Sequence, residues 1–241
     1  MKYILTFTLI ALTYVLKAQE FNKSINKDSL LNVLVKDLPA ETKADILKEY
    51  KSDSEKDKEF LLFILSMPRS SKSLQIRNID SNYANISNLK AEYLKLVPSN
   101  TAVRIEFTPA NANFNIKESI DLRITSTAND EIKVSQEWKL EYGSKKLKEM
   151  LQSIKWNDKT LNKIRKLLDS ANCISIENGK ITEIGFARSG MGMYSYLLFD
   201  RDLSDKQIAA YNNGCEYIFY KKNIVLEYGG GAAGPQCFPD R

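Results

Sequence analysis

The reactive side chains available to this protein are carboxylates, thiols and hydroxyls, because its 241 residues include no histidine. That absence removes Ser-His-Asp and Cys-His nucleophilic machinery and any metal centre that needs imidazole. The acids that could act as bases are Glu183, Asp200, Asp202, Glu216 and Glu227, with Cys215 or Ser189 as conceivable nucleophiles. A glycoside hydrolase needs two carboxyl groups about 5–10 Å apart across a cleft. Position along a chain does not say which acids face each other across strands, so no catalytic residue is assigned. Ser70-Ser71-Lys72-Ser73 has the wrong order for an S-x-x-K site. The acidic runs 53–59 and 200–205 lack the spacing of a calcium loop, and no metal is assigned.

Two glycine clusters are the strongest binding candidates. Gly229-Gly230-Gly231-Ala232-Ala233-Gly234 spells the dinucleotide fingerprint after a predicted strand. Pro235 follows at once and the sequence ends at Arg241, leaving no helix to hold a pyrophosphate and no acid about 20 residues on, so no cofactor is expected. The run can make an anion nest from successive N–H groups, or let the backbone pass close to another element. Arg188-Ser189-Gly190-Met191-Gly192-Met193-Tyr194 joins two predicted strands and offers a cation, a hydroxyl, two thioethers and a ring in seven residues. Its plainer reading is a bulged hairpin. Tyr194, Tyr196, Tyr217, Tyr220 and Tyr228 would rim the same end of the sheet if the strands neighbour one another. The expected ligand-binding residues are Arg188, Ser189, Gly190, Gly192, Tyr194, Gly229, Gly230 and Gly231.

The start of the chain predicts a destination. Met1-Lys2-Tyr3 leads into a mostly apolar run from Ile4 to Leu16 and then Lys17-Ala18-Gln19, the form of an export signal with cleavage after Ala18. The run is shorter than the roughly 20 apolar residues a spanning helix needs, so no membrane span is expected. Losing Lys2 and Lys17 lowers the net charge from +5 to +3, too small an excess to argue for nucleic acid. In an oxidising compartment Cys215 and Cys237, which flank the last predicted hairpin, are the expected disulfide, and Cys173 is expected to be a buried small hydrophobe. Asn22-Lys23-Ser24 and Asn85-Ile86-Ser87 fit the glycosylation acceptor pattern.

Hydrophobic periodicity supplies the scaffold. Leu30, Leu31, Leu34 and Leu38, then Ile46, Leu47 and Tyr50, then Phe60, Phe63 and Ile64 predict two or three short helices, with Asp28 as N-cap. Residues 69–88 are polar and aperiodic and read as a linker, with a short helix at Leu89, Tyr93, Leu94 and Val97. From Thr101 the period becomes two: Val103, Ile105 and Phe107 alternate with Arg104 and Glu106, then come Ile120, Leu122 and Ile124, and Ile132, Val134, Trp138 and Leu140. An antiparallel meander with one wet face follows. Ser144 and then Asn157 or Asp158 open two helices with basic outer faces. Strands are predicted at 173–177, 181–187, 194–200, 217–220 and 224–228, with turns at Asn178-Gly179 and Lys221-Lys222-Asn223 and a short helix after Ser204.

The fold class is α+β: N-terminal short helices, an antiparallel β-meander, a helix pair and a mostly antiparallel C-terminal sheet. The domain expectation is a leader over 1–18, a helical region over 19–98 and an α+β domain over 99–241. The functional expectation is an exported, non-catalytic module that binds a protein, a glycan or a small anion through its Gly-rich loops. The alternatives are a histidine-free envelope hydrolase working with acids, and an inhibitor or immunity-type protein presenting the segment 189–194.

Overall fold

The structure, a computed structural model, describes residues 20–128, 131–229 and 236–239. The expected leader lies outside these residues, as do Gly230 and Gly231. The chain divides into two compact units, Met1–Met67 with Pro109–Glu118, and Pro68–Thr108 with Ser119–Arg241.

Among the described residues, the first unit holds the α-helices α1 (Lys27–Leu34), α2 (Ala40–Ser52) and α3 (Glu55–Ser66). The apolar spacing predicts two or three short helices here, and three form. Asn26 rather than Asp28 caps α1, its side chain accepting from the Ser29 N–H at 2.9 Å, and Asp28 sits in the first turn. Ser54 caps α3 in the same way. Leu31, Val35, Tyr50, Leu62 and Leu65 form the core with Phe21 and Phe114.

The second unit is built on an α+β plan. Among the described residues its eight strands are β1 (Thr101–Thr108), β2 (Ser119–Ala128), β3 (Glu131–Leu140), β4 (Ser175–Glu177), β5 (Thr182–Ser189), β6 (Gly192–Leu198), β7 (Tyr217–Lys221) and β8 (Ile224–Gly229). They form one antiparallel sheet in the order β3-β2-β1-β4-β5-β6-β8-β7. The expected meander and the expected C-terminal sheet are thus halves of one sheet, joined where β1 pairs with β4. Asn178 reinforces that join: its side chain accepts from the Val103 N–H at 2.7 Å and donates to the Thr101 carbonyl at 2.9 Å.

Four helices complete the unit: α4 (Lys72–Leu94), α5 (Lys145–Ser153), α6 (Asp158–Ala171) and the short α7 (Asp205–Ala210). Ser144 and Asn157 cap α5 and α6, as expected. The core joins Ile79, Ile86, Leu89 and Tyr93 of α4 and Leu147, Leu151, Leu161, Ile164 and Leu168 of α5 and α6 to one face of the sheet.

Helix α4 corrects the linker reading of 69–88. Two of its core-facing positions are Gln75 and Asn78, which carry no hydrophobic signal but are buried. Gln75 donates to the Ser195 carbonyl at 2.7 Å, and Asn78 donates to the Ala171 carbonyl and the Tyr196 hydroxyl, each at 3.2 Å. Buried amides are tolerated when bonded in this way. A second correction concerns β3. Ile132, Val134 and Trp138 were expected to be half-buried, but are 70%, 56% and 64% exposed, because β3 is the sheet edge. Only Leu140 enters the core.

Candidate functional site

Strand geometry sends alternate side chains to opposite faces. The helices cover the face that carries Val103, Ile105, Ile120, Leu122, Ile176, Ile184, Tyr196 and Leu226. The intervening residues make the other face, and the register fixes which of them stand side by side.

Two rows cross this open face. In the first, Asp121 on β2 stands opposite Glu106 on β1, followed by Ser175 on β4, Gly185 on β5, Ser195 on β6, Glu227 on β8 and Tyr217 on β7. The second, two residues along, runs Gln136, Arg123, Arg104, Glu177, Glu183, Leu197, Val225 and Phe219. The centre of the first row is Ser-Gly-Ser, and both serines are buried. A Cβ on Gly185 would run into the Met193 sulfur and the Ser175 hydroxyl. The Met193 thioether lies across this gap, 3.6 Å from the Ser175 hydroxyl that donates to it.

The Met193 side chain covers this centre, and long side chains around it leave a cavity of about 600 Å³. Its lining includes Arg104, Arg123, Gln136, Trp138, Glu183 and Ser195, with Glu106 and Arg188 at one side and Glu227 and Gly229 at the other. That volume falls within the usual range for small-molecule sites. Beyond Glu183 and Glu227 the face turns apolar, where Leu197, Phe199, Leu203 and Val225 cluster with Ile208 of α7.

The charges are held in fixed pairs. Arg188 donates through Nε and Nη2 to the two carboxylate oxygens of Glu106, at 2.5 and 2.7 Å, and Glu106 is only 3% exposed. Arg123 donates through Nη2 to both oxygens of Glu177, at 2.6 and 2.8 Å. Arg104 reaches Glu177 and Glu183, each at 3.4 Å, and the Ser195 hydroxyl donates to Glu183 at 3.3 Å. Glu227 differs. Burial, then the negative charge of Glu183, push its carboxyl up to about 7, against a hydrogen bond from Tyr217 and the attraction of Arg104. Burial also raises Asp121, against a hydrogen bond from the Lys139 N–H at 2.8 Å.

Of the residues singled out from sequence, Arg188, Gly229, Glu183 and Glu227 meet at this cavity. Ser189 instead exchanges hydrogen bonds with Ser70, and the Gly190 N–H donates to the Pro68 carbonyl at 2.9 Å. Gly192 is buried, and a Cβ there would lie 2.5 Å from the Tyr228 hydroxyl oxygen. Tyr194 lies on the helix-covered face against the rings of Tyr228 and Phe238. Only Gly190 and Met191 of that cluster are exposed. The tyrosines form no common rim: Tyr196 is buried, and Tyr220 donates to Asp80. Cys215 and Cys237 are bridged, which fixes Phe238 in the core. Cys173 is buried and its thiol is pushed up to about 12. Asp200 is exposed and pairs with Lys90 at 2.8 Å, and Asp202 is exposed.

Sequence reasoning passed over Arg104, Glu106, Arg123, Ser195 and Trp138 as site residues. The available signal was the charge on the polar half of the β1 and β2 alternation, where Thr or Ser would serve a merely wet face. No protein-family model, no curated protein and no solved structure matches this chain. Among the described residues no helix is long and apolar enough to cross a membrane, and no group of three or more acids and cysteines is placed to hold a metal ion.

Proposed function

We propose that this is an exported binding module whose site is the cavity on the open face of the sheet, and that its ligand is a glycan. The carrying observation is the cavity on this face, where Glu106, Met193, Ser195 and Glu227 lie between walls of hydrogen-bonding groups paired with one another. Sugars are recognised by planar polar side chains that accept and donate in one plane, together with an aromatic face for the C–H side of the ring. Arg104, Gln136 and Glu183 supply the first and Trp138, 64% exposed at the rim, supplies the second. A small anion fits this cavity less well, because each guanidinium in it already faces a carboxylate. The leader-like N-terminus and the disulfide support export.

The test is calorimetric titration of the purified protein with cellotetraose, chitotetraose, xylotetraose, maltotetraose and mannotetraose. The expected outcome is saturable binding of at least one, weakened tenfold or more by Trp138→Ala and by Ser195→Leu, which puts a larger side chain in the cavity lining. Absence of binding to all five, or binding indifferent to both substitutions, overturns the reading.

A further inference from the structure

We infer that the cavity also hydrolyses the glycan it binds, with Glu227 as the acid and Glu183 as the base of an inverting glycosidase. The inference rests on the glycan reading of the same site.

The placement is the argument. Glu183 on β5 and Glu227 on β8 flank β6 on the same face, and Ser195 of β6 stands directly opposite Glu227 while its hydroxyl donates to Glu183. Glu183 pairs with Leu197 and Glu227 with Ser195, so two strand spacings across the sheet and a two-residue offset along it put their backbones about 12 Å apart, and both side chains line the one cavity between them. An inverting enzyme needs about 6.5–9.5 Å between carboxyl groups, room for a water beside the sugar, whereas a retaining one needs about 5–5.5 Å. The other acids of the cavity are less suited: Glu106 is locked to Arg188 by two hydrogen bonds, Asp121 is engaged by a backbone N–H, and Glu137 pairs with Lys146 at 3.0 Å.

The two environments differ in the sense the chemistry requires. Glu227 sits where the face becomes apolar, next along β8 to the open-face residue Val225, and is faced by the acids Glu183 on β5 and Glu216 beside β7, by the Tyr217 hydroxyl and, at longer range, by Arg104 on β1. It therefore keeps a proton near neutral pH. Glu183 faces a guanidinium and a hydroxyl donor, and its charge is one of the causes that raise Glu227. In the reaction Glu227 transfers its proton to the glycosidic oxygen as the bond from that oxygen to the anomeric carbon breaks. Glu183 takes a proton from a water whose oxygen forms the new bond to that carbon from the opposite face. The products are an alcohol and a sugar of inverted anomeric configuration. One water is consumed, and the two carboxyl groups recover their states by proton exchange with solvent.

The test uses the purified full chain with the five tetrasaccharides above and with the 4-nitrophenyl glycosides of the sugars they contain, in both anomers. Turnover of at least one tetrasaccharide is expected, falling as pH rises through about 7. Glu227→Gln is expected to slow the tetrasaccharide 10²- to 10⁴-fold but the nitrophenyl glycoside less than tenfold, because nitrophenolate leaves without a proton. Glu183→Gln should slow both equally, and proton NMR should show the inverted anomer first. Binding that is sensitive to Trp138→Ala, with no release faster than from Glu227→Gln, overturns hydrolysis and leaves the binding module standing. Absence of both binding and release overturns both readings. Retention of configuration overturns the assignment of Glu183 as base.

Discussion

The two faces of the central sheet are made by the same strands, yet they are stabilised in opposite ways. Under the helices, Val103, Ile105, Ile120, Ile176, Ile184, Tyr196 and Leu226 are at most 1% exposed and pack without regard to direction. One residue along each strand, Arg104, Glu106, Arg123, Glu177 and Glu183 stand on the open face in ion pairs whose geometry is specified atom by atom. Apolar burial contributes roughly 25 cal/mol per Å², whereas partly buried ion pairs return little net stability after desolvation. A sheet selected for stability alone would not carry so many charges around one cavity. The difference assigns folding to one face and recognition to the other.

The comparison is tested hardest on the covered face. Tyr93 of α4 is fully buried, donates to the Val103 carbonyl at 2.8 Å and meets the Trp156 ring edge-on at 5.9 Å. Tyr93→Ala should cost about 4 kcal/mol in urea unfolding, and Tyr93→Phe about 1 kcal/mol. A loss below about 1 kcal/mol for the alanine variant would mean that this face does not carry the fold.

Arg188→Ala tests whether the open face is free of structural duty. It leaves the Glu106 carboxylate buried without its partner, and unpaired buried charge is costly. About a third of the Arg188 side chain is in solvent, so the expected loss is about 2–3 kcal/mol, less than for a fully buried pair. Replacing Glu106 and Arg188 together by leucine should return most of it. If the double variant is no more stable than the single, packing at this spot rather than charge governs the open face.

The division between the faces also explains what could be read in advance. Val103, Ile105 and Phe107 alternate cleanly, so β1 and its buried side were legible, as were α5 and α6 from their apolar spacing and caps. Helix α4 was not, because Gln75 and Asn78 hold core-facing positions and their amide nitrogens donate to partners about 90 to 120 residues away. In the site, Glu183 and Glu227 were visible as acids but not as neighbours. Their relation depends on Gly185 facing Ser195 and Ser195 facing Glu227, a register fixed by pairing across the sheet rather than by any local pattern. The glycine cluster 190–192 was conspicuous for a local reason, since Gly192 lies where only a hydrogen fits against Tyr228.

Glu227→Gln sharpens the comparison by giving the recognition face a stability signature of its own. Its carboxyl stands at about 7 in the fold against 4.5 as its ordinary value. Between those limits the folded protein binds more protons than the unfolded chain, so wild-type stability is fully present below about pH 4.5 and declines as pH rises through about 7. Glutamine imitates the protonated form and removes the decline. The variant should match wild type at pH 4.5 and exceed it by about 1–3 kcal/mol at pH 8. Equal stability at both pH values would place Glu227 in water and remove the contrast with Glu183.

The smallest effect is expected from the most exposed large residue of the cavity. Trp138 is 64% exposed on edge strand β3 and lies outside the buried core. Large aromatic side chains left in solvent are costly to keep unless something covers them in function, and β3 adds Ile132 and Val134 to the same exposed side. Trp138→Ala should therefore change unfolding free energy by less than about 0.5 kcal/mol. The same substitution should weaken glycan binding tenfold or more, because stacking on the ring is lost while the polar walls stay in place. A variant that loses stability instead, with ligand affinity intact, would assign Trp138 to the structural side of the molecule.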